Sequence, residues 1–423
     1  MSRPRAVVVV TGSELVRGDR TDRNGPFIAR EVLKLGLEPA RWLTVGDSPS
    51  ELLGALETGL DADLCVTSGG LGPTHDDRTV ELVAAALGRP LVVDEALREE
   101  IEAVSRAISD RLRRPYAEFE QGVRKQAQMP EGALVVGLAG TAPALVVEHV
   151  RGVVVILPGP PGELQRLWPR TLETEPVRRL LARARPPQRR VLRFFGAGES
   201  TIARTFEEAG GDSDGIETTI CARDFEIHVD LVVDSGAEAR ADELERRLAE
   251  PLERFLFSRD ERSIEEIVLD LCRARGWTLA TAESCTGGMI AARLTDVAGS
   301  SEAFVGGVVA YSDELKRSQL GVPAEVLAEH GAVSAEAGEA MAEGARRQLG
   351  ADVGLSVTGI AGPGGGTPEK PVGLVFIHAA GPDGAIGREL TIPGDRADVR
   401  GRATVVALHL ARRLLSQSRH EDV

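Results

Sequence analysis

Cysteine, cationic charge and long apolar runs are all scarce in this chain, and each shortage removes a class of protein. Four cysteines occur among 423 residues (Cys65, Cys221, Cys272 and Cys285), and no two form a CxxC pair. A disulfide scaffold and a structural zinc site are therefore set aside, and a reducing, cytoplasmic compartment is expected. Lys plus Arg number 50 against 65 Asp plus Glu, a formal charge of −15. Bulk nucleic-acid binding needs cations to neutralise phosphates, so no nucleic-acid partner is expected, although a local basic pocket for a small phosphate ligand stays open. Apolar runs stop far short of the ~20 residues that a membrane helix requires, so no membrane partner is expected either. The early run ends at Thr11-Gly12-Ser13-Glu14, too soon for a signal peptide, and reads as a buried strand.

Apolar material is ample at 42%, which excludes global disorder. Aromatics make up only 4% while glycines number 47. Glycine clusters mark places where backbone approaches ligands closely, so they direct the search for sites. The length allows two or three domains. Buried strands are predicted at 6–10, 42–45, 63–67 and 152–157 with helical patterns between them, such as the one opened by Ser48-Pro49. Such alternation predicts an α/β fold with a mostly parallel, covered sheet over 1–180. A basic, proline-bearing stretch at 183–190 reads as a linker. A small α+β module follows at 190–258. Alternation returns over 262–423, with a helix predicted from Ser334 to Gly350 and another from Thr286.

The sharpest constellation is Ala282-Glu283-Ser284-Cys285-Thr286-Gly287-Gly288, where a strand gives way to a helix. A nucleophile placed there feels the helix amino terminus, whose N–H groups favour developing negative charge. Helix capping by Ser or Thr with close-packed glycines explains the same residues, and Cys285 is a competing nucleophile. Tyr311-Ser312-Asp313-Glu314-Leu315-Lys316 follows another strand and offers Lys316 as a base, because a shielded lysine has a lowered pKa. The run from Thr358 through Gly362, Gly364, Gly365 and Gly366 suggests a backbone cradle, without the GK[ST] ending of a P-loop. In Pro393-Gly394-Asp395-Arg396, Asp395 would cap the last helix and Arg396 could hold an anion. Near the amino end, Gly69, Gly70 and Gly72 form a glycine loop beside Asp76 and Asp77. Glu14 and Asp47 would reach the same carboxyl edge of a parallel sheet, and four carboxylates there suit a divalent metal. Each acid could equally be a helix cap.

Together these motifs resemble the CinA family (competence/damage-inducible protein A) along nearly the whole chain. GSELVRG, TVGD, TSGGLGPTHDDRT, GTAP and LPGPPGEL are similar to its molybdopterin-binding-type first domain. The 190–258 module resembles its KH-like middle domain, and AESCTGG, AYSDELK, VTGIAGPGGG and PGDR resemble its nicotinamide-nucleotide amidase domain. The resemblance implies an amidase with Ser284 as nucleophile and with Lys316 and Tyr311 serving its activation. It implies that Thr358 and Arg396 line the nucleotide pocket, while Gly287 and Gly288, read from the residues alone, would let a substrate approach the backbone closely. For the first domain it implies metal-dependent hydrolysis of ADP-ribose, with the metal's identity open. Nucleotides such as nicotinamide mononucleotide and ADP-ribose are thus the implied small-molecule partners, no cofactor is required for the amidase, and a homodimer is implied. The sequence departs from the family at Ala144 and at Asp22, where glycine and asparagine are usual. A KH domain that binds nucleic acid needs a basic GXXG loop, and neither Gly196-Ala197-Gly198-Glu199 nor the acidic 211–215 run provides one, so a structural or dimer-spacing role is expected. The rival reading is a binding protein that recognises a pterin or nucleotide without turnover and acts in competence or DNA repair through partners.

Overall fold

The computed structural model describes residues 3–417. Two compact units emerge, Met1–Gln188 with Val233–Gly236 and Arg189–Val232 with Ala237–Val423. No helix among the described residues is long and apolar enough to cross a membrane.

The first unit is built on a six-stranded sheet in the order Glu38–Val45, Arg5–Thr11, Leu64–Ser68, Val153–Leu157, Pro143–Glu148, Leu134–Leu138. The first four strands run parallel, and the last two turn antiparallel. Its composition explains the arrangement. In Arg5–Thr11, Val7 and Val9 enter one core while Ala6, Val8 and Val10 enter the other, because successive side chains point to opposite faces. Both faces are therefore apolar, and helices must cover both. The fold is the mixed α/β class that the alternation predicts. Ala144 is fully buried in one of these cores. Asp22 accepts the amides of Asn24 and Gly25 at the start of the helix Asn24–Lys34, and the indole N–H of Trp42 at 3.0 Å.

The second unit carries two sheets. The smaller has the order Ile216–Arg223, Glu226–Val233, Gln188–Phe195, Leu256–Ser258, accompanied by the helices Glu199–Ala209 and Glu238–Ala249. The strand beginning at Gln188 absorbs the end of the stretch expected to be linker. The larger sheet has the order Phe304–Val309, Leu279–Glu283, Val353–Gly359, Leu374–Gly381, Gly384–Thr391. Its first three strands are parallel, and its last two are antiparallel.

Local signals hold in several helices of this unit. Ser334 accepts the Ala337 amide at the start of Ala335–Leu349, and Gly350 ends that helix at φ 65°. Asp395 accepts the amides of Ala397 and Asp398 and caps the long helix Arg396–Ser416. The helix expected from Thr286 begins only at Met289. Gly287 and Gly288 adopt φ of 62° and 91°, a left-handed turn that cannot belong to the helix itself.

Candidate functional site

The strand Leu279–Glu283 is an interior strand of its sheet and wholly buried, so it delivers Ser284 to the carboxyl edge with little freedom. The Ser284 amide is fixed by the Val357 carbonyl of the neighbouring strand at 2.9 Å, and the residue is 9% exposed. The turn that follows is held on two sides. On one, the buried carboxylate of Glu283 accepts the amides of Gly288 (3.0 Å), Ile290 (3.1 Å) and Ala291 (2.9 Å). On the other, the Arg400 guanidinium donates Nε to the Cys285 carbonyl and Nη2 to the Thr286 carbonyl, both at 3.0 Å. The Gly287 amide turns back to the Ser284 carbonyl at 3.1 Å. The amides of Gly287 and Gly288 therefore already have acceptors within the protein.

Lys316 lies on the helix Asp313–Leu320, and its side chain is 2% exposed. Burial pulls its pKa below the ordinary lysine value, opposed by the Asp313 carboxylate 3.7 Å away and by the nearby Cys285 thiol. A lysine in that state can be neutral and accept a proton. Cys285 is different. Burial pushes its thiol up to about 11, so it stays protonated near neutral pH and is a poor nucleophile.

Arg396 joins two further segments. Its Nη1 donates to the Gly362 carbonyl and its Nη2 to the Tyr311 hydroxyl, each at 2.8 Å. Tyr311 is thus placed on the Arg396 side of the site, with its ring largely exposed. Arg396 and Arg400 also line an open cleft of about 670 Å³ with Ala361, Pro363, Val372, Gly394, Asp395 and Ala397. Neither Ser284 nor Lys316 is on its walls. Thr358 is fully buried and donates its hydroxyl to the Ala332 carbonyl at 2.7 Å, so that hydroxyl braces the approach to the helix Ala335–Leu349. Gly364 has open space where a side chain would begin.

In the first unit, Glu14 lines a cleft of about 600 Å³ with Asp22, Asn24, Ser68 and Gly159. Asn24 donates Nδ2 to the Ser68 hydroxyl and the Gly159 carbonyl, while its buried Oδ1 has no partner. The other three acids are engaged elsewhere. Asp47 accepts the Thr11 hydroxyl (3.1 Å) and both the amide (2.9 Å) and hydroxyl (2.6 Å) of Ser13. Asp76 and Asp77 both accept from the Thr74 hydroxyl. Among the described residues, no three of His, Cys, Asp and Glu are grouped to hold a metal. The strand ends converge as the topology demands, but the carboxylates of Glu14, Asp47, Asp76 and Asp77 are not grouped as a donor set. The glycine loop is also tighter than a ligand cradle requires. A Cβ on Gly69 would lie 2.4 Å from the Thr11 carbonyl oxygen, one on Gly70 2.3 Å from the Thr79 hydroxyl, and one on Gly72 2.4 Å from Asp77. These glycines let segments of the protein pack on one another.

Fold and site define a class: a protein of α/β units, one of which carries a serine turn at a strand end with a buried lysine near it. Comparison with known proteins agrees with the division. A family model described as "CinA C-terminal domain" matches residues 261–415, and one described as "Probable molybdopterin binding domain" matches residues 7–177. A CinA-like protein of Mycobacterium sp. (strain MCS) is 44% identical over 97% of this chain and 99% of its own length. A CinA-like protein of Mycobacterium tuberculosis (strain ATCC 25618 / H37Rv) is 43% identical over 97% of each. The crystal structure of competence/damage inducible protein CihA from Agrobacterium tumefaciens is 39% identical, covers 38% of this chain and 100% of its own, and has a TM-score of 0.35. The chain belongs to the CinA family.

Proposed function

We propose that the second unit is a nicotinamide-nucleotide amidase that converts nicotinamide mononucleotide to nicotinate mononucleotide and ammonia, in salvage of pyridine nucleotides. The observation that carries this reading is the burial of Lys316 beside the Ser284–Cys285 turn, which lowers the lysine's pKa. A serine hydroxyl is a weak nucleophile until a base takes its proton, and this lysine is suited to do so.

The steps follow. The Ser284 oxygen attacks the carboxamide carbon while Lys316 accepts the hydroxyl proton. The tetrahedral intermediate collapses, the C–N bond breaks, and the lysine returns its proton to the leaving nitrogen as ammonia forms. Water then attacks the Ser284 ester with the same lysine as base, releasing the carboxylate and restoring the serine. Arg396 is the cation available to the nucleotide phosphate in the adjoining cleft, with Tyr311 held against it. The Gly362–Gly366 loop would close the same end.

Ammonia release from nicotinamide mononucleotide by the purified protein, with no added partner, tests the reading. Its absence would favour a non-catalytic protein that recognises a pterin or nucleotide and works in competence or repair through partners.

For the first unit we propose nucleotide recognition of the ADP-ribose class in the Glu14–Asn24 cleft, supported by the unpartnered Asn24 Oδ1 on its wall. No metal-dependent step is assigned, because Glu14, Asp47, Asp76 and Asp77 are not arranged to share an ion. Calorimetry with ADP-ribose tests this. Binding that Glu14→Gln weakens would support it, and absence of heat would count against it.

A further inference from the structure

A serine amidase needs donors for the oxygen that becomes negative in the tetrahedral intermediate, and the hydrogen bonds around Ser284 restrict which groups can serve. The Ser284 amide is bound to Val357, the Gly287 amide to Ser284, the Gly288, Ile290 and Ala291 amides to Glu283, and the Met289 amide to the Thr286 carbonyl. Two amides of the turn have no oxygen acceptor among the described residues: those of Cys285 and Thr286. Their near neighbour is the Cys285 sulfur, a weak acceptor.

Peptide geometry gives their direction. In a trans peptide the N–H points opposite to the carbonyl of the same unit. The Cys285 carbonyl points at Arg400, so the Thr286 N–H points away from that guanidinium. The Ser284 carbonyl points at the Gly287 amide, so the Cys285 N–H points away from the closed side of the turn. We propose that the amides of Cys285 and Thr286 are the oxyanion donors, and that Glu283 and Arg400 are positioning residues that aim them. This rests on the amidase reading above.

Both positioning residues act through backbone. Glu283 gathers three amides that would otherwise compete for the substrate oxygen, and it fixes the far side of the left-handed Gly287–Gly288 turn. Arg400 bridges two consecutive carbonyls, a task for a planar fork of donors that a lysine ammonium cannot reproduce.

The direct test replaces Thr286 by its α-hydroxy analogue, which turns the 285–286 peptide into an ester without an N–H. Turnover of nicotinamide mononucleotide should fall on the order of 10²–10³-fold, the usual effect of losing one oxyanion donor. Ester substitution with wild-type kcat would overturn the proposal. As a second arm, Glu283→Gln and Arg400→Met should each lower kcat by roughly 10–100-fold with KM nearly constant, and Arg400→Lys should recover little. The acid limb of the rate profile should not move in these variants, since Lys316 is untouched. Unchanged kcat with a lowered melting temperature would mean that the two residues only support the fold. A raised KM with kcat intact would mean that Arg400 binds phosphate instead. Should the wild type release no ammonia, the functional reading fails first. Activity in the wild type, its loss in Ser284→Ala and its retention in the ester and in both positioning variants would sink this inference alone.

Discussion

The Lys316 ammonium nitrogen lies 3.7 Å from Oδ1 of Asp313, one helical turn earlier, yet the lysine side chain is 2% exposed and the aspartate side chain 65%. The acid therefore moderates the lysine from the solvent side without burying a second charge. Burial lowers the lysine pKa, and Asp313 partly restores it.

That pair sets a pH dependence. The neutral lysine is the active form, so kcat/KM should rise with pH through the lowered lysine pKa and level off above it. Removing Asp313 removes a group that favours the charged form. In Asp313→Asn the acid limb should therefore move to lower pH, as read from rate profiles of ammonia release. Movement to higher pH would contradict the assignment of Lys316 as base.

Cys285 offers a second check. Its thiol is 5% exposed and pushed up to about 11 by burial. Cys285→Ala should keep most of the activity, and iodoacetamide at neutral pH should inactivate the wild type slowly or not at all. Rapid inactivation matched to carboxymethylation of Cys285 would make the thiol the nucleophile.

Asp47 was read from sequence as a metal ligand and is found bracing the turn after the first strand. Removing it leaves the Ser13 amide and hydroxyl without their acceptor, while the Thr11 hydroxyl keeps the Gly46 carbonyl at 3.3 Å. Asp47→Ala should cost about 1–3 kcal/mol of the first unit's stability, the usual range for stranding buried polar groups. Denaturant unfolding measures it. Stability unchanged in buffer, with a divalent-metal stabilisation of the wild type that the variant loses, would restore the ligand role.

Glu226 lies in the small sheet and accepts His409 Nε2 at 2.8 Å, with His228 on its other oxygen at 3.2 Å. Burial alone would raise the carboxyl pKa, but the two histidine hydrogen bonds outweigh it and hold the group at about 2. Burial lowers the His409 pKa, with Glu226 opposing. Both folded pKa values lie below their ordinary ones, so the unfolded chain takes up protons first on acidification. Stability should fall as pH drops below the usual histidine range, and fall further between about 4.5 and 2 as Glu226 becomes protonated. Glu226→Gln should flatten the lower part of that curve in thermal melts, and an unchanged curve would refute the linkage.

What the sequence revealed and what it hid divide along physical lines. Alternation of Val-rich runs with capped helices predicted the α/β class, because burial on both sheet faces leaves a local imprint at 6–10 and 152–157. Ser334 and Gly350 marked a helix because caps act within one turn. The junction around Ser284 was visible because a strand, a nucleophile and two glycines are contiguous. Arg400 was missed because its partners, Cys285 and Thr286, are 115 and 114 residues away in sequence. Glu283 read only as part of the junction between strand and helix, and the fold alone shows it gathering three amides. The loop partners of Thr358, Asp47, Asp76 and Asp77 were hidden for one reason. A polar residue at a sheet edge can face a ligand or a neighbouring loop, and composition is the same in both cases.

The central claim is that Ser284 attacks the carboxamide with Lys316 as its base. It is tested most directly by ammonia release from nicotinamide mononucleotide, measured side by side for wild type, Ser284→Ala and Lys316→Met at matched folding. The account predicts turnover in the wild type and losses on the order of 10³-fold or more in both variants, with smaller changes in substrate affinity. Normal turnover by Ser284→Ala would contradict it.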